Sequence, residues 1–230
     1  MFTYAYAAGT LFFMAIWAAL FVLLPRSRSA IFWTSLIFAA AGPISEFWQL
    51  SDYWHPLYLI SIAIGKWRFG LEDYLMAFAY AGISAGVFES MALRRGFGGL
   101  PRVSFNTLLR MEGWGTVAFL LMAFLASGLR LNSIYSILLA GTISSLLMLY
   151  RRWETFPQIL TSAIILGLLF WLFYVVFFIP IFPGVIQAFW NLKTTSGIML
   201  AGVPIEEPLS AFTTALLVGP VFRVCSTKSS

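Results

Sequence analysis

Gly70-Leu71-Glu72-Asp73-Tyr74-Leu75 and Pro204-Ile205-Glu206-Glu207-Pro208-Leu209 are two versions of one phrase, set 134 residues apart. The same offset aligns Ala77 with Ala211 and Phe78 with Phe212. Each copy places two carboxyls at the entrance to an apolar helix, and four of the chain's nine acidic residues are used this way. Carboxylates beside hydrocarbon are costly, and side by side they repel. Their recurrence in register predicts a chain of two similar units that uses its acids for chemistry.

The surroundings are those of a membrane protein. Hydrophobic residues make up 60% of the 230, charged residues only 10%, and mean hydropathy is +0.88. A soluble domain would carry about 25% charged residues. The apolar runs are continuous rather than alternating, which predicts an all-α, polytopic helical bundle. Seven spans are expected, at 4–24, 30–50, 71–92, 114–129, 133–150, 158–179 and 204–222, with a kink at Gly42-Pro43 and a tight Arg130-Leu131-Asn132 turn. The lone Cys225 excludes an internal disulfide and leaves no thiolate cluster for a metal.

The net charge of +5 is not a nucleic-acid signal, because the basic residues fall between the apolar runs. Ten of them (Arg26, Arg28, Arg94, Arg95, Arg102, Arg110, Arg151, Arg152, Arg223 and Lys228) fall on one side of the seven spans. Four (Lys66, Arg68, Arg130 and Lys193) fall on the other. The positive-inside rule makes the first side cytoplasmic, with the N-terminus outside, in a multi-pass protein of the cell membrane. The first run lacks a basic leader and is followed by Arg26-Ser27-Arg28, so it reads as a retained span.

Both acidic helices then run from outside to inside. The chain reads as one membrane domain, 1–230, made of unit one (about 1–93), a connecting helix (about 114–129) and unit two (about 133–223). The segments 51–70 and 180–203, rich in Trp, Pro and Gly, suit an interfacial or re-entrant path ahead of each acidic helix. Small residues from Ala77 to Gly86 predict a tightly packed third span.

Pro204 suits a helix start, which puts Glu206 and Glu207 in the first turn. The helix dipole favours their charge there, while desolvation and mutual repulsion favour a shared proton, giving an acid and a base in one place. Ser210, Thr213 and Thr214 continue a polar stripe, and Tyr80 does so from Glu72 and Asp73. The competing reading is that the pairs merely cap helix ends in the headgroup zone. Glu46 with Gln49 reads as a helix-end residue that could join the site. Glu89 reads as an interfacial partner of Arg94 or Arg95, and His55 as a loop histidine.

Pro204-Ile205-Glu206-Glu207, followed by Phe212, resembles the P-x-E-E motif of the heterodimer-type lycopene cyclase domain family, found as small subunits and as archaeal and fungal fused forms. The arrangement of three, one and three spans resembles the fused form, and Asp52-Tyr53-Trp54 resembles the acidic-aromatic element of that family's first unit. The chain departs from the pattern at Gly70, where the family has Pro, and at Asp73, Pro208 and Ser210.

The resemblance implies isomerisation of a linear carotenoid end group through a carbocation. An acid protonates the terminal double bond, a neighbouring double bond closes the ring, and a base removes a proton. Glu206, Glu207, Glu72 and Asp73 are the catalytic candidates. Trp67, Tyr74, Phe78, Tyr80, Ser210 and Phe212 are the substrate-binding candidates, with ring faces able to stabilise a cation. The implied partner is an apolar polyene in membrane lipid. No cofactor is expected, two fused units need no partner subunit, and a homo-oligomer stays open.

No G-x-G-x-x-G, P-loop, H-E-x-x-H or G-x-S-x-G motif occurs, and Gly96-Phe97-Gly98-Gly99 is a basic-flanked loop. Two alternatives stand beside the cyclase. One is a non-enzymatic transport, lipid-binding or ion-binding protein, which would more often place its acids at the bilayer midplane. The other is a related carotenoid enzyme with a different substrate.

Overall fold

Leu24 precedes Pro25, and the residue before a proline is pushed out of the helical region. Helix α1 (Ala5–Leu23) therefore ends there, with Leu24 at φ −114° and ψ 65°. This computed structural model describes residues 2–95, 103–150 and 153–226. Gly96-Phe97-Gly98-Gly99, Arg102, Arg151, Arg152 and Lys228, read above as loop and flanking residues, lie outside the described residues.

Helices α2 (Arg28–Phe38) and α3 (Ala41–Asp52) form one span bent by 43°. Pro43 has no N–H for the Ala39 carbonyl, so the break falls one turn before the Gly42-Pro43 step. An antiparallel hairpin, β1 (Ser61–Ile64) with β2 (Trp67–Gly70), leads directly into α4 (Leu71–Arg94). Next comes α5 (Phe105–Ala123), extended by a π turn over Phe124–Gly128. It starts nine residues before the expected 114, because the Ser104 hydroxyl caps it by accepting from Thr107 N at 3.1 Å. Arg110 and Glu112 thus sit inside this helix rather than before it.

Helix α6 (Ser133–Leu149) is followed by α7 (Phe156–Leu172), a π stretch over Phe173–Phe178 and a closing turn, α8 (Ile179–Ile181). A short α9 (Val185–Phe189) and a second hairpin, β3 (Met199–Leu200) with β4 (Val203–Pro204), lead into α10 (Glu206–Ser226). Pro204 is therefore a strand residue and not the helix start expected from the sequence. The hairpin turns through Ala201 and Gly202, both at positive φ (52° and 82°), the backbone that two-residue hairpin loops prefer.

Among the described residues, five helices are long and apolar enough to cross a membrane, the bent α2–α3 pair acts as a sixth, and α6 is a shorter apolar helix. The molecule is an all-α polytopic bundle, and these segments occupy the seven predicted stretches. Helix α4 packs mainly on α1 and α2, and α10 mainly on α6 and α7. The two acidic helices also pack on each other, with Gly219 beside the Ser84 carbonyl and Phe88.

The two segments ahead of the acidic helices meet. Trp54 and Trp190 form an antiparallel bridge in which His55 N donates to Phe189 O at 2.6 Å and Asn191 N donates to Tyr53 O at 2.7 Å. His55 accordingly serves the fold through its backbone. Asp52 fixes the same junction, accepting from Ser133 N (2.8 Å) and Ser133 Oγ (2.5 Å) at the start of α6.

Candidate active site

Glu72 and Asp73 are neighbours on a helix, so their side chains diverge by about 100°. The same holds for Glu206 and Glu207, and the structure uses the divergence the same way twice. The first member of each pair turns to the loop ahead of its own helix. Glu72 Oε1 accepts from Leu59 N at 2.6 Å. Glu206 Oε1 accepts from Ser196 N at 2.6 Å and from the Tyr135 hydroxyl at 3.1 Å. The second members, Asp73 and Glu207, face a common cavity of about 330 Å³. Neither Glu72 nor Glu206 lines it.

Asp73 accepts from the Tyr6 hydroxyl at 2.7 Å and from Gly70 N at 2.7 Å. Glu207 accepts from three donors: the Tyr53 hydroxyl, the Tyr174 hydroxyl (2.6 Å) and the Trp190 indole (2.8 Å). Burial, and after it the charge on Glu207, pushes the Tyr53 phenol well above its ordinary value, so it stays a donor.

Glu46 is a third carboxyl on the cavity wall and is only 3% exposed. It accepts from the Trp54 indole and the Tyr58 hydroxyl, each at 3.1 Å. Its position follows from Gly42, one turn earlier on α3. A Cβ at Gly42 would overlap the backbone carbonyl of Asp73, so only glycine lets α3 approach α4 this closely. Glu46 therefore belongs to the cavity and is not a plain helix-end residue. Gly70 has a comparable reason: the Tyr58 ring fills the space its Cβ would need. That accounts for glycine where the resembled family has proline.

The remaining wall is apolar and aromatic. Tyr6 meets Trp54 edge-on at 4.9 Å, Trp54 meets Trp190 at 5.6 Å, and Tyr80 meets Phe170 at 5.3 Å. Of the substrate-binding candidates, Tyr80 and Ser210 line the cavity. The Tyr80 hydroxyl donates to the Ala211 carbonyl and the Ser210 hydroxyl to the Glu207 carbonyl (2.9 Å). Trp67, Tyr74, Phe78 and Phe212 stand elsewhere. Trp67 donates to Pro43 O at 2.9 Å, Tyr74 is exposed, Phe78 packs on Trp17 at 5.1 Å, and Phe212 lies against Gly167.

Sequence reasoning missed Tyr6, Tyr53, Tyr174 and Trp190 as carboxylate partners. Nothing in the sequence ties them to these carboxyls among 41 aromatic residues, since all four lie more than 15 residues from the carboxyl they serve. Glu89 was misread. It is fully buried and pairs with Arg223 at 2.5 Å, not with Arg94 or Arg95.

An acid-lined cavity with a mainly apolar, aromatic wall within a helical bundle can donate a proton, accept one and tolerate a cation between. Residues 132–225 match the family model described as lycopene cyclase. That stretch is similar to the lycopene cyclase family. The match covers α6, α7 and α10 with the second acidic pair, and it stops short of the first. No curated protein and no solved structure matches the chain significantly. The matched stretch contains Glu207 and two of its three donors, Tyr174 and Trp190; Tyr53 comes from the part before it.

Proposed function

We propose that this chain is a carotenoid end-group cyclase acting on a linear polyene of the lycopene type, by acid/base isomerisation through a carbocation. The observation that carries this reading is that Asp73 and Glu207 face one aromatic cavity, in a helical bundle of which residues 132–225 match a lycopene cyclase family model. The reaction needs one proton in, one proton out and protection of the cation from water, with no change of oxidation state. Carboxyls supply both transfers. Ring faces of Tyr6, Trp54 and Phe170 offer negative potential to the cation. The apolar wall suits a substrate that dissolves only in membrane.

The proposal includes two similar three-helix units, 1–93 and 133–223, joined by the helix between them. Its support is the hairpin ahead of each acidic helix and the matching use of Glu72 and Glu206. It also includes an N-terminus outside and a C-terminus inside, supported by the ten-to-four division of basic residues.

The test is expression in a bacterium that accumulates lycopene, followed by pigment analysis. Monocyclic or bicyclic carotenes are the expected result, and their ring type would be read directly. Unchanged lycopene, with the protein present in the membrane, would overturn the proposal and favour a transport or binding role.

A further inference from the structure

The three cavity carboxyls are held in two different ways, and we infer from this which does what: the Glu46/Asp73 pair donates the proton that starts cyclisation, and Glu207 accepts the one that ends it. The inference rests on the cyclase reading above.

Glu207 stands apart from the other two carboxyls among three donors, two phenols and one indole, none of which can take a proton from it at ordinary pH. It also lies in the first turn of α10, where the helix dipole favours negative charge. Hydrogen bonds to the charged form of a carboxyl favour that form. Of the three cavity carboxyls Glu207 has the most donors set against the cost of its burial, and this marks it as the one that accepts.

Glu46 and Asp73 are arranged differently. Gly42 brings α3 against the backbone of Asp73, and Glu46 follows one turn later on the same wall. Tyr58 lies between them, donating to Glu46 and within reach of Asp73. Among the described residues no cation forms an ion pair with either, and the buried ion pair is Glu89–Arg223. Two carboxyls crowded in this way hold one proton between them, as paired acids do elsewhere. Trp54 links the two groups, donating to Glu46 and packing at a tilt against Trp190, the indole that serves Glu207. The acid and the base therefore face each other across the aromatic lining.

The step balances. The pair gives a proton to the terminal double bond, leaving a tertiary cation. The π electrons of a neighbouring double bond form the new carbon–carbon bond and close the ring. Glu207 removes a proton from a carbon beside the new cation, and those electrons become the ring double bond. The cycle closes when that proton returns to the Glu46/Asp73 pair.

Membranes carrying the wild-type chain, Glu46→Gln, Asp73→Asn or Glu207→Gln are supplied with lycopene in D₂O, and all carotenoids are analysed by mass. Wild-type conversion is the control for the cyclase reading; its absence overturns that reading and this inference together. With the wild type active, Glu46→Gln and Asp73→Asn should lose about 100-fold or more in rate, and their recovered lycopene should be free of deuterium. Glu207→Gln should still protonate the substrate, leaving deuterium in recovered lycopene or releasing a ring with a displaced double bond or a hydroxyl. Deuterium uptake by Glu46→Gln, or none by Glu207→Gln, would overturn the assignment while leaving the cyclase intact. Should Glu46→Gln fail to accumulate, Asp73→Asn and Glu207→Gln carry the same comparison.

Discussion

Glu89 and Arg223 are 134 residues apart, the interval that separates the two acidic motifs, and they form a buried ion pair between α4 and α10. Residues at the same distance from each acidic pair, on α4 and on α10, thus touch. Charges removed from water repay their desolvation only when well paired, and removing one partner leaves the other stranded. Glu89→Gln or Arg223→Met should destabilise the detergent-solubilised protein by about 3–5 kcal/mol. The double replacement Glu89→Leu with Arg223→Leu should recover most of that loss. Thermal unfolding of the three variants checks both statements.

Gly42 sets the spacing between α3 and α4. Gly42→Val would push its branched carbon into the Asp73 carbonyl and move Glu46 away from Asp73. Overpacking of this kind costs about 1–3 kcal/mol. Cyclisation should fall further than stability does, because the acid pair is pulled apart. Conversion rate measured beside melting temperature separates the two effects.

The donors around Glu207 should act as a set. Tyr174→Phe and Tyr53→Phe each remove one hydrogen bond to a charged group, worth about 1.5–3 kcal/mol. Each should slow cyclisation roughly ten- to a hundredfold. The double variant should lose less than the product of the two, since Trp190 still holds the carboxylate. Initial rates of pigment conversion in the single and double variants give the coupling.

The members of the second acidic pair should separate on mutation. Replacing Glu206 and Glu207 together by Gln should abolish cyclisation and leave membrane insertion intact. Glu207→Gln alone should account for nearly all of the loss. Glu206→Gln should act mainly on stability, because Glu206 ties down Ser196 and Tyr135 outside the cavity. Equal loss of activity from both single variants would show that the loop tie itself shapes the cavity.

Much of this architecture is legible in the sequence. The apolar runs place seven segments, because a backbone in hydrocarbon must satisfy its own hydrogen bonds and so forms helices. The 134-residue echo places the acidic pairs. What stays hidden is long-range. Glu46 reads as a helix-end residue until Gly42 is seen against Asp73, and Phe78 and Phe212 look like site residues only because they are near the motifs in sequence. Helical geometry decides otherwise: residues five or six positions on fall outside the face that carries Asp73 and Glu207, whereas Tyr80, seven after Asp73, returns to it. Pro204 misleads because a proline also fits the end of an edge strand.

The Trp54–Trp190 bridge joins the two segments that precede the acidic helices, at the end of the bundle where those helices begin. On the proposed chemistry, a polyene arriving from water would meet this bridge, so the route in is sideways, between helices, from the lipid. Turnover would then follow the mole fraction of polyene in the bilayer and not its amount per volume of suspension. Adding empty lipid at fixed enzyme and substrate should slow the reaction by simple surface dilution.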